Sequence, residues 1–329
     1  MSTGSLLSDA LRAAFGTPGC TAALAAMGIA GQARRTRMLG LGQAAFVASG
    51  ALGLAMTSAL VDVPLWCGLV VAAGFASGVG LLQALPIVRD ASSEVVGVVA
   101  LATAETARRI LAATRPDWFG GADGLFVPAG QGGIPSGSGP FGMSARGWWA
   151  GIVGWAVVAA VVAFGAICAR SSRARARASL GEDPLLAASV GVDVRAVRIE
   201  SLAAAATLGV LGGLLLAAGG ETVRASSFSI DLLAVMLVGV ALTGWTRRLP
   251  AAVAASVAVG GLTAGRSWLE SWLERHGSVR LGTVSIITDA SRIESLQFLV
   301  MGVVLLAVVV ARARWSPDTT RPNEVGDGY

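Results

Sequence analysis

The sequence predicts an all-α, polytopic membrane bundle of about 8–9 transmembrane helices, and three observations carry that expectation. Of 329 residues, 54% are hydrophobic and only 14% are charged, with a mean hydropathy of +0.69; soluble domains carry about 25% charged residues. Apolar runs long enough to cross a hydrocarbon core, roughly 17–25 residues each, recur along almost the whole chain. Arginines cluster in every second gap between those runs, as orientation in a membrane requires.

A weak apolar segment covers residues 18–31, and the sequence leaves open whether it crosses. Stronger ones follow at 38–60, 64–86, 94–113 and 148–169. The second half offers 197–218, 228–245, 249–264 and 296–311. Each is too uninterrupted for an amphipathic soluble helix. The membrane region so defined runs over 18–314, preceded by an N-terminal segment, 1–17. That segment has Leu6 and Leu7 but lacks the basic stretch of a cleavable signal. The polar tail 315–329, with Pro317 and Pro322, is expected to be disordered.

Between the spans lie three soluble stretches. Residues 116–146 are rich in Gly and Pro with no period of 3.6 or 2, hence an external loop. Residues 268–292 carry charges of both signs, and Trp268, Leu269, Trp272 and Leu273 share one helical face, which predicts an external interfacial helix. Residues 170–198 form a large arginine-rich loop.

The formal charge is +5 and the pI about 10.3. In a soluble protein this balance would suggest a nucleic-acid partner; here the charge lies in loops between apolar runs and reports orientation, so no nucleic acid is expected. Alternating the spans places Arg34, Arg35, Arg37, Arg89, Arg170, Arg173, Arg175, Arg177, Arg195, Arg198, Arg247, Arg248, Arg312 and Arg314 on one side, the cytoplasm. The other side receives the sparser Arg115, Arg146, Arg224, Arg266, Arg275, Arg280 and Arg292, and Arg108 and Arg109 run against the trend. All 25 basic residues are arginine. A P-loop needs a lysine to reach the β/γ-phosphates, so the chain is not expected to hydrolyse ATP. The lone histidine, His276, reads as a polar residue of an external loop, and Cys20, Cys67 and Cys168 read as buried free thiols. No metal or other cofactor is expected.

The middle of the cytoplasmic loop reads Gly181-Glu182-Asp183-Pro184-Leu185-Leu186-Ala187-Ala188-Ser189-Val190-Gly191. Asp183 suits an N-cap, Pro184 the first helical position and Gly191 the stop. The pattern predicts a helix of about two turns, too short to be stable alone. It is either a coupling helix that docks in a groove on another protein or a solvated connection held near lipid by its arginines, and the pattern does not separate the two.

The stretch from Arg173 to Ala217, with that run continuing through Val192-Asp193-Val194 and then Gly209-Val210-Leu211-Gly212, resembles the permeases of branched-chain amino acid ABC transporters, specifically the M-type subunit. Three further stretches are similar to that family's motifs, in the same order. Gly40-Leu41-Gly42-Gln43-Ala44-Ala45-Phe46 resembles Ser-Leu-Gly-His-Ala-Ala-Phe. Ala100-Leu101-Ala102-Thr103-Ala104-Glu105 resembles Thr-Leu-Ala-Phe-Ala-Glu. Phe119-Gly120-Gly121-Ala122-Asp123-Gly124-Leu125 resembles Thr-Gly-Gly-Ser-Asp-Gly-Leu. Departures include Gln43 in place of the His, Gly40 in place of the Ser, and Ala188 where a Glu is common.

The resemblance implies a multi-pass permease of the bacterial cytoplasmic membrane, surrounded by membrane lipid. It would pair with a second, homologous permease subunit, two cytoplasmic ATPase subunits and an extracytoplasmic substrate-binding protein, ATP being used by those partners. Its substrates would be branched-chain or other hydrophobic amino acids, or a related small polar solute. It assigns contact with the ATPase to Glu182, Asp183, Pro184, Leu186, Ala187 and Gly191.

Two residues are candidates for the translocation pathway. Glu105 lies in an apolar segment, where a mid-bilayer charge costs about 2.5–3.5 kcal/mol. Either it lines the pathway or it pairs with Arg108 or Arg109 three and four positions on, and pairing is the favoured reading. Gln43 either lines a helix break or belongs to a close glycine-mediated packing. Asp123 and Gly124 are a turn, in the simpler view, or part of a docking surface for a binding protein. The competing function is a stand-alone secondary transporter or channel, which would need coupling-ion ligands in the spans; intramembrane acids are almost confined to Glu105. An intramembrane enzyme has no His pair, Ser/His set or paired carboxylates to work with.

Overall fold

The computed structural model describes residues 3–61, 65–113, 120, 123–127, 143–171, 180–181, 184–189, 191–220, 222–228, 230–243, 248–276, 279–281, 284–287, 302–304, 306–307 and 310. Ten helices carry the described fold: α1 Thr3–Phe15, α2 Thr17–Thr36, α3 Gln43–Met56, α4 Leu65–Val88, α5 Ser93–Ala113, α6 Ala145–Ala169, α7 Pro184–Ser189, α8 Val194–Gly219, α9 Ile230–Thr243 and α10 Arg248–His276. Two short antiparallel ribbons accompany them: β1 Leu125–Phe126 with β2 Thr222–Val223, and β3 Val279–Leu281 with β4 Val284–Ile287.

Among these, α4, α6, α8, the unit Ala225–Thr243 and α10 are long and apolar enough to span a bilayer. The pair α1–α2, bent by 49°, makes a sixth if it is one span. Helix α5 has the length, but Glu105, Arg108 and Arg109 fall within every stretch of it long enough to cross. The segment expected at 38–60 starts instead at Gln43, after a turn at Leu41 and Gly42, and ends in a π-helical turn, Thr57–Val61. There the Thr57 hydroxyl donates to the Gly53 carbonyl at 2.9 Å and the Ser58 hydroxyl to that of Leu54 at 2.8 Å, loosening the regular ladder. The expected span 296–311 is described only at 302–304, 306–307 and 310, all helical. The tail 315–329 lies outside the described residues.

Two external expectations change. The loop 116–146 contains β1, which pairs with β2 just beyond α8, so a ribbon ties it to the bundle. Residues 268–276 are not a separate interfacial helix but the continuation of α10, since no breaker stands between Ala264 and Trp268. His276 is therefore the last residue of that helix rather than a loop residue, and farther along the stretch β3 pairs antiparallel with β4. All three cysteines are free, but only Cys20 is buried; Cys67 and Cys168 are half-buried on outward helices.

The centre of the bundle is α2 against α3 and α8. Cys20 to Ala30 of α2 are nearly all at 0% exposure, and all of α3 but Met56 is buried. In lipid there is no hydrophobic drive between helices, so close backbone approach and interhelical hydrogen bonds must supply the contact. Helix α8 provides both. A Cβ on Gly209 would lie 2.6 Å from Phe46 Cβ, and one on Gly213 2.7 Å from the Ala51 nitrogen. The Thr21 hydroxyl donates to the Gly212 carbonyl at 2.8 Å. By contrast, α4 and α6 bury little of their apolar length and present Trp66, Val70, Leu81, Leu82, Phe164 and Ile167 outward. Such surface belongs against hydrocarbon or another membrane subunit rather than water.

Candidate functional site

A cavity of about 910 Å³ opens between the helix ends on the face that the arginine pattern assigns to the outside. The start of α2 contributes Thr17 and Thr21, and α5 contributes Glu105 and Arg108. The end of α8 gives Leu216 and Gly220, and the turn beyond it gives Thr222, Ser226, Ser227 and Phe228. Helices α9 and α10 close it with Leu232, Val235, Val259, Thr263 and Arg266. The wall is therefore an apolar surface with hydroxyls and a few charges set into it, the composition of a small-solute site.

Glu105 forms the ion pairs that the i, i+3 and i, i+4 spacing predicts, and it also lies in the cavity wall. It is clamped by Arg108, whose Nε donates to Oε2 at 2.8 Å and whose Nη2 donates to Oε1 at 2.6 Å, while Arg109 Nε donates to Oε1 at 2.8 Å. Glu105 and Arg108 are about 30% exposed and face the cavity; Arg109 is 76% exposed. The i, i+3 and i, i+4 spacing sets this fork by itself, but the placement in a cavity wall is a tertiary fact.

Gln43 does not line that cavity. It is 1% exposed, and its Nε2 donates to the Ala205 carbonyl of α8 at 2.9 Å. A Cβ on Gly28 or Gly209 would approach the same Nε2 within 2.7 and 2.9 Å, so the amide fills a slot between α2 and α8 that only glycines leave open. Two more glutamines, Gln32 and Gln83, are buried beside Gly40 and Gly42. Neither stood out as a site residue in the sequence, although an amide inside an apolar run is the signal that could have found them.

Arg146 was legible only as an outer-side charge. In the structure it is 4% exposed and donates to three carbonyls: Nε to Ala218 at 2.6 Å, Nη1 to Val127 at 2.8 Å and Nη2 to Ala217 at 3.2 Å. A cation at the C-terminus of α8 complements that helix's dipole, and the same side chain fastens the end of β1 beside the cavity. Gly124, at φ +84°, forms a tight turn in which its N–H donates to the Gly120 carbonyl at 2.9 Å; Asp123 is exposed next to it.

In the loop that the arginine pattern assigns to the inner side, α7 forms at Pro184–Ser189. Gly191, at φ +86°, ends it: the Gly191 N–H donates to the Ala188 carbonyl and the Val192 N–H to that of Ala187, both at 3.0 Å. That reciprocal pair is a left-handed C-terminal cap, for which glycine carries no Cβ penalty. Ala187 is fully buried in a small cluster with Leu180, Val192, Val194 and Val197, while Ala188 and Ser189 are exposed. Glu182 and Asp183 lie outside the described residues, as do the side chains of Pro184 and Leu186. Helix α8 starts directly after α7, with Asp193 as N-cap accepting from the Ala196 N–H at 3.1 Å. Arg195 in its first turn grips Asp90, between α4 and α5, through Nε to Oδ1 at 2.7 Å and through Nη2 to Oδ2. This hydrogen-bonded guanidinium holds the Asp90 carboxyl below its ordinary range.

Among the described residues no three His, Cys, Asp or Glu side chains come together as a metal set. The site offers hydrogen bonding, charge and shape.

A family model described as the permease component of branched-chain amino acid transport systems matches residues 14–309. No curated protein and no solved structure matches the chain. The matched family consists of transport subunits that are not enzymes, and its apolar helices agree with a multi-pass membrane protein. Since the match takes in the bundle core, the cavity and α7 together, the chain belongs to the family of permease components of branched-chain amino acid transport systems.

Proposed function

We propose that this permease is one of two homologous membrane subunits in an ATP-driven importer of the bacterial cytoplasmic membrane. Two cytoplasmic ATPase subunits would supply the energy and an extracytoplasmic binding protein the solute, with no cofactor in this chain. The cargo would be a branched-chain or other hydrophobic amino acid, or a related small polar solute.

The observation that supports this reading is the path of α8. One end of this 26-residue helix packs through Val194 and Val197 on the buried Ala187 of α7; the other end, Leu216 and Gly220, is cavity wall. A helix of that length extends about 39 Å, enough to link the two faces of a bilayer core. A push on α7 by an ATPase that closes on nucleotide would tilt α8 and change the cavity mouth, which is alternating access by rigid-body movement. Glu182, Asp183, Pro184, Leu186, Ala187 and Gly191 would form or shape the docking projection. Glu105 would present its charge to the solute, Gln43 would hold α8 to α3 as it moves, and Asp123 with Gly124 would face the binding protein.

The test is uptake and ATPase activity in liposomes holding the full complex. Ala187→Asp, which puts a charge at the α7–α8 contact, should leave membrane insertion intact and lower substrate-stimulated ATP hydrolysis and uptake together by at least tenfold. Deletion of 184–189 should do the same. Full stimulation in the deletion variant, or gradient-driven flux by the purified chain alone, would overturn the proposal.

A further inference from the structure

Two buried amides each keep a polar atom unpaired, and both lie against one turn. Gln32, near the end of α2, is 4% exposed, and Gln83, near the end of α4, is 2% exposed. Gln32 Oε1 and Gln83 Nε2 are buried, and among the described residues neither has a hydrogen-bond partner. A Cβ on Gly40 would collide with Gln32 Oε1, and one on Gly42 with the Gln83 amide. Both amides therefore press on the turn that leads into α3. Gln32 comes just before Arg34 and Arg35, and Gln83 comes before Arg89, so the arginine pattern puts the pair at the inner ends of its helices.

An amide left dry and unpaired costs free energy, and native structures keep few of them without a reason. Here one orphan is an acceptor and the other a donor. They weaken this closed arrangement relative to one in which water or a solute reaches them. Helix α2 connects them to the cavity. Thr17 and Thr21 are cavity wall, and Gly28 and Gln32 follow on the same helical face. From Thr17 to Gln32 the helix rises about 22 Å. Between those ends the face is closed. The Thr21 hydroxyl donates to the Gly212 carbonyl at 2.8 Å, and Gln43, lying over Gly28, donates to that of Ala205 at 2.9 Å. The cavity lies on the outer side of this barrier and the unpaired amides on the inner side.

We infer that Gln32 and Gln83 are an inner station of the solute path, shut in this structure. As the inner ends of α2, α3 and α4 part, Gln32 Oε1 accepts a hydrogen bond from a small polar solute and Gln83 Nε2 donates one to it. The inference rests on the alternating access proposed above. Neutral contacts suit release, because hydrogen bonds between neutral groups are weaker than those to the charges of Glu105 and Arg108 in the cavity wall. A trapped water would pair the same two atoms with no movement at all, and the experiment separates the two cases.

The experiment is cysteine labelling of the full complex in lipid nanodiscs, in a chain carrying Cys20→Ala, Cys67→Ala and Cys168→Ala. The probe is a membrane-impermeant methanethiosulfonate, applied with and without a non-hydrolysable ATP analogue. Labelling of Gln32→Cys and of Gln83→Cys should change by about tenfold or more between the two conditions. The change should run opposite to that of Ser227→Cys in the cavity wall. Ala26→Cys, buried on the far face of α2, should stay unlabelled in both. In the detergent-solubilised chain, Gln32→Met and Gln83→Met keep the side-chain length and remove the orphan atom. Each should raise the unfolding midpoint by roughly 2–4 °C. Labelling at 32 and 83 that ignores the nucleotide while Ser227→Cys responds would overturn the station alone. No response at any of the three would overturn alternating access and the station with it. Methionine variants that fail to raise the midpoint would mean that a trapped water already pairs the amides, and would overturn the station. So would labelling of Ala26→Cys in step with the other two, since the helix would then be loosening as a whole. Should one of the two inner cysteine variants not fold, the other decides by the same readouts.

Discussion

Arg146 brings a full charge into a place with 4% exposure and donates three hydrogen bonds to carbonyls at the ends of α8 and β1. Hydrogen bonds to a charged group are worth about 1.5–3 kcal/mol each in net terms, and here removal also leaves carbonyls without a donor. Arg146→Ala should therefore destabilise the detergent-solubilised chain by about 3 kcal/mol. A drop in unfolding midpoint no larger than that of an exposed arginine variant would refute the role. Gln43 invites a different comparison. Gln43→Leu forfeits one buried bond to Ala205, about 1 kcal/mol. Gly209→Ala would instead force a methyl to 2.6 Å from Phe46 Cβ, against a backbone that cannot yield cheaply, for about 1–3 kcal/mol. The glycine variant should be the less stable of the two, and thermal unfolding ranks them directly.

At the level of elements, α8 is the piece that joins everything else: glycines at its centre meet α2 and α3, its N-terminus meets α7, and its C-terminus borders the cavity. Its first turn is also tied to the α4–α5 connection through Arg195 and Asp90. That link depends on pH in a definite direction. Because the folded Asp90 carboxyl is held below the ordinary aspartate value, near 3.9, the pair's contribution is fully present above that value. It is lost only as pH falls through the lower folded value. The midpoint difference between the unaltered chain and Asp90→Asn should be constant from neutral pH to about 5 and close below pH 4. A difference that grew on acidification would contradict the assignment. Helix α7 shows how far a pattern can be read: its proline start and glycine stop stand in the sequence, and the cap at Gly191 forms as that chemistry requires. That Ala187 is the residue turned inward could not be read there, because it depends on where Leu180 and Val197 arrive.

For the molecule as a whole, composition and the spacing of apolar runs determined the membrane setting, the helical class and most of the helices, because hydrocarbon admits only segments that satisfy their own backbone. Arginine placement predicted an orientation, and the motif order pointed to the family that the match over residues 14–309 shows. The element ends were decided elsewhere: the late start of α3, the extension of α10 to His276 and the ribbon inside the outer loop all depend on contacts between distant segments. So do the cavity, the burial of Gln32 and Gln83, and the approach of Arg248 to Gly31. Periodicity reports what a single helix needs from its surroundings, and that is local. Which helix answers that need is settled only when glycine faces, side-chain forks and charges from different spans are brought within a few ångströms of one another.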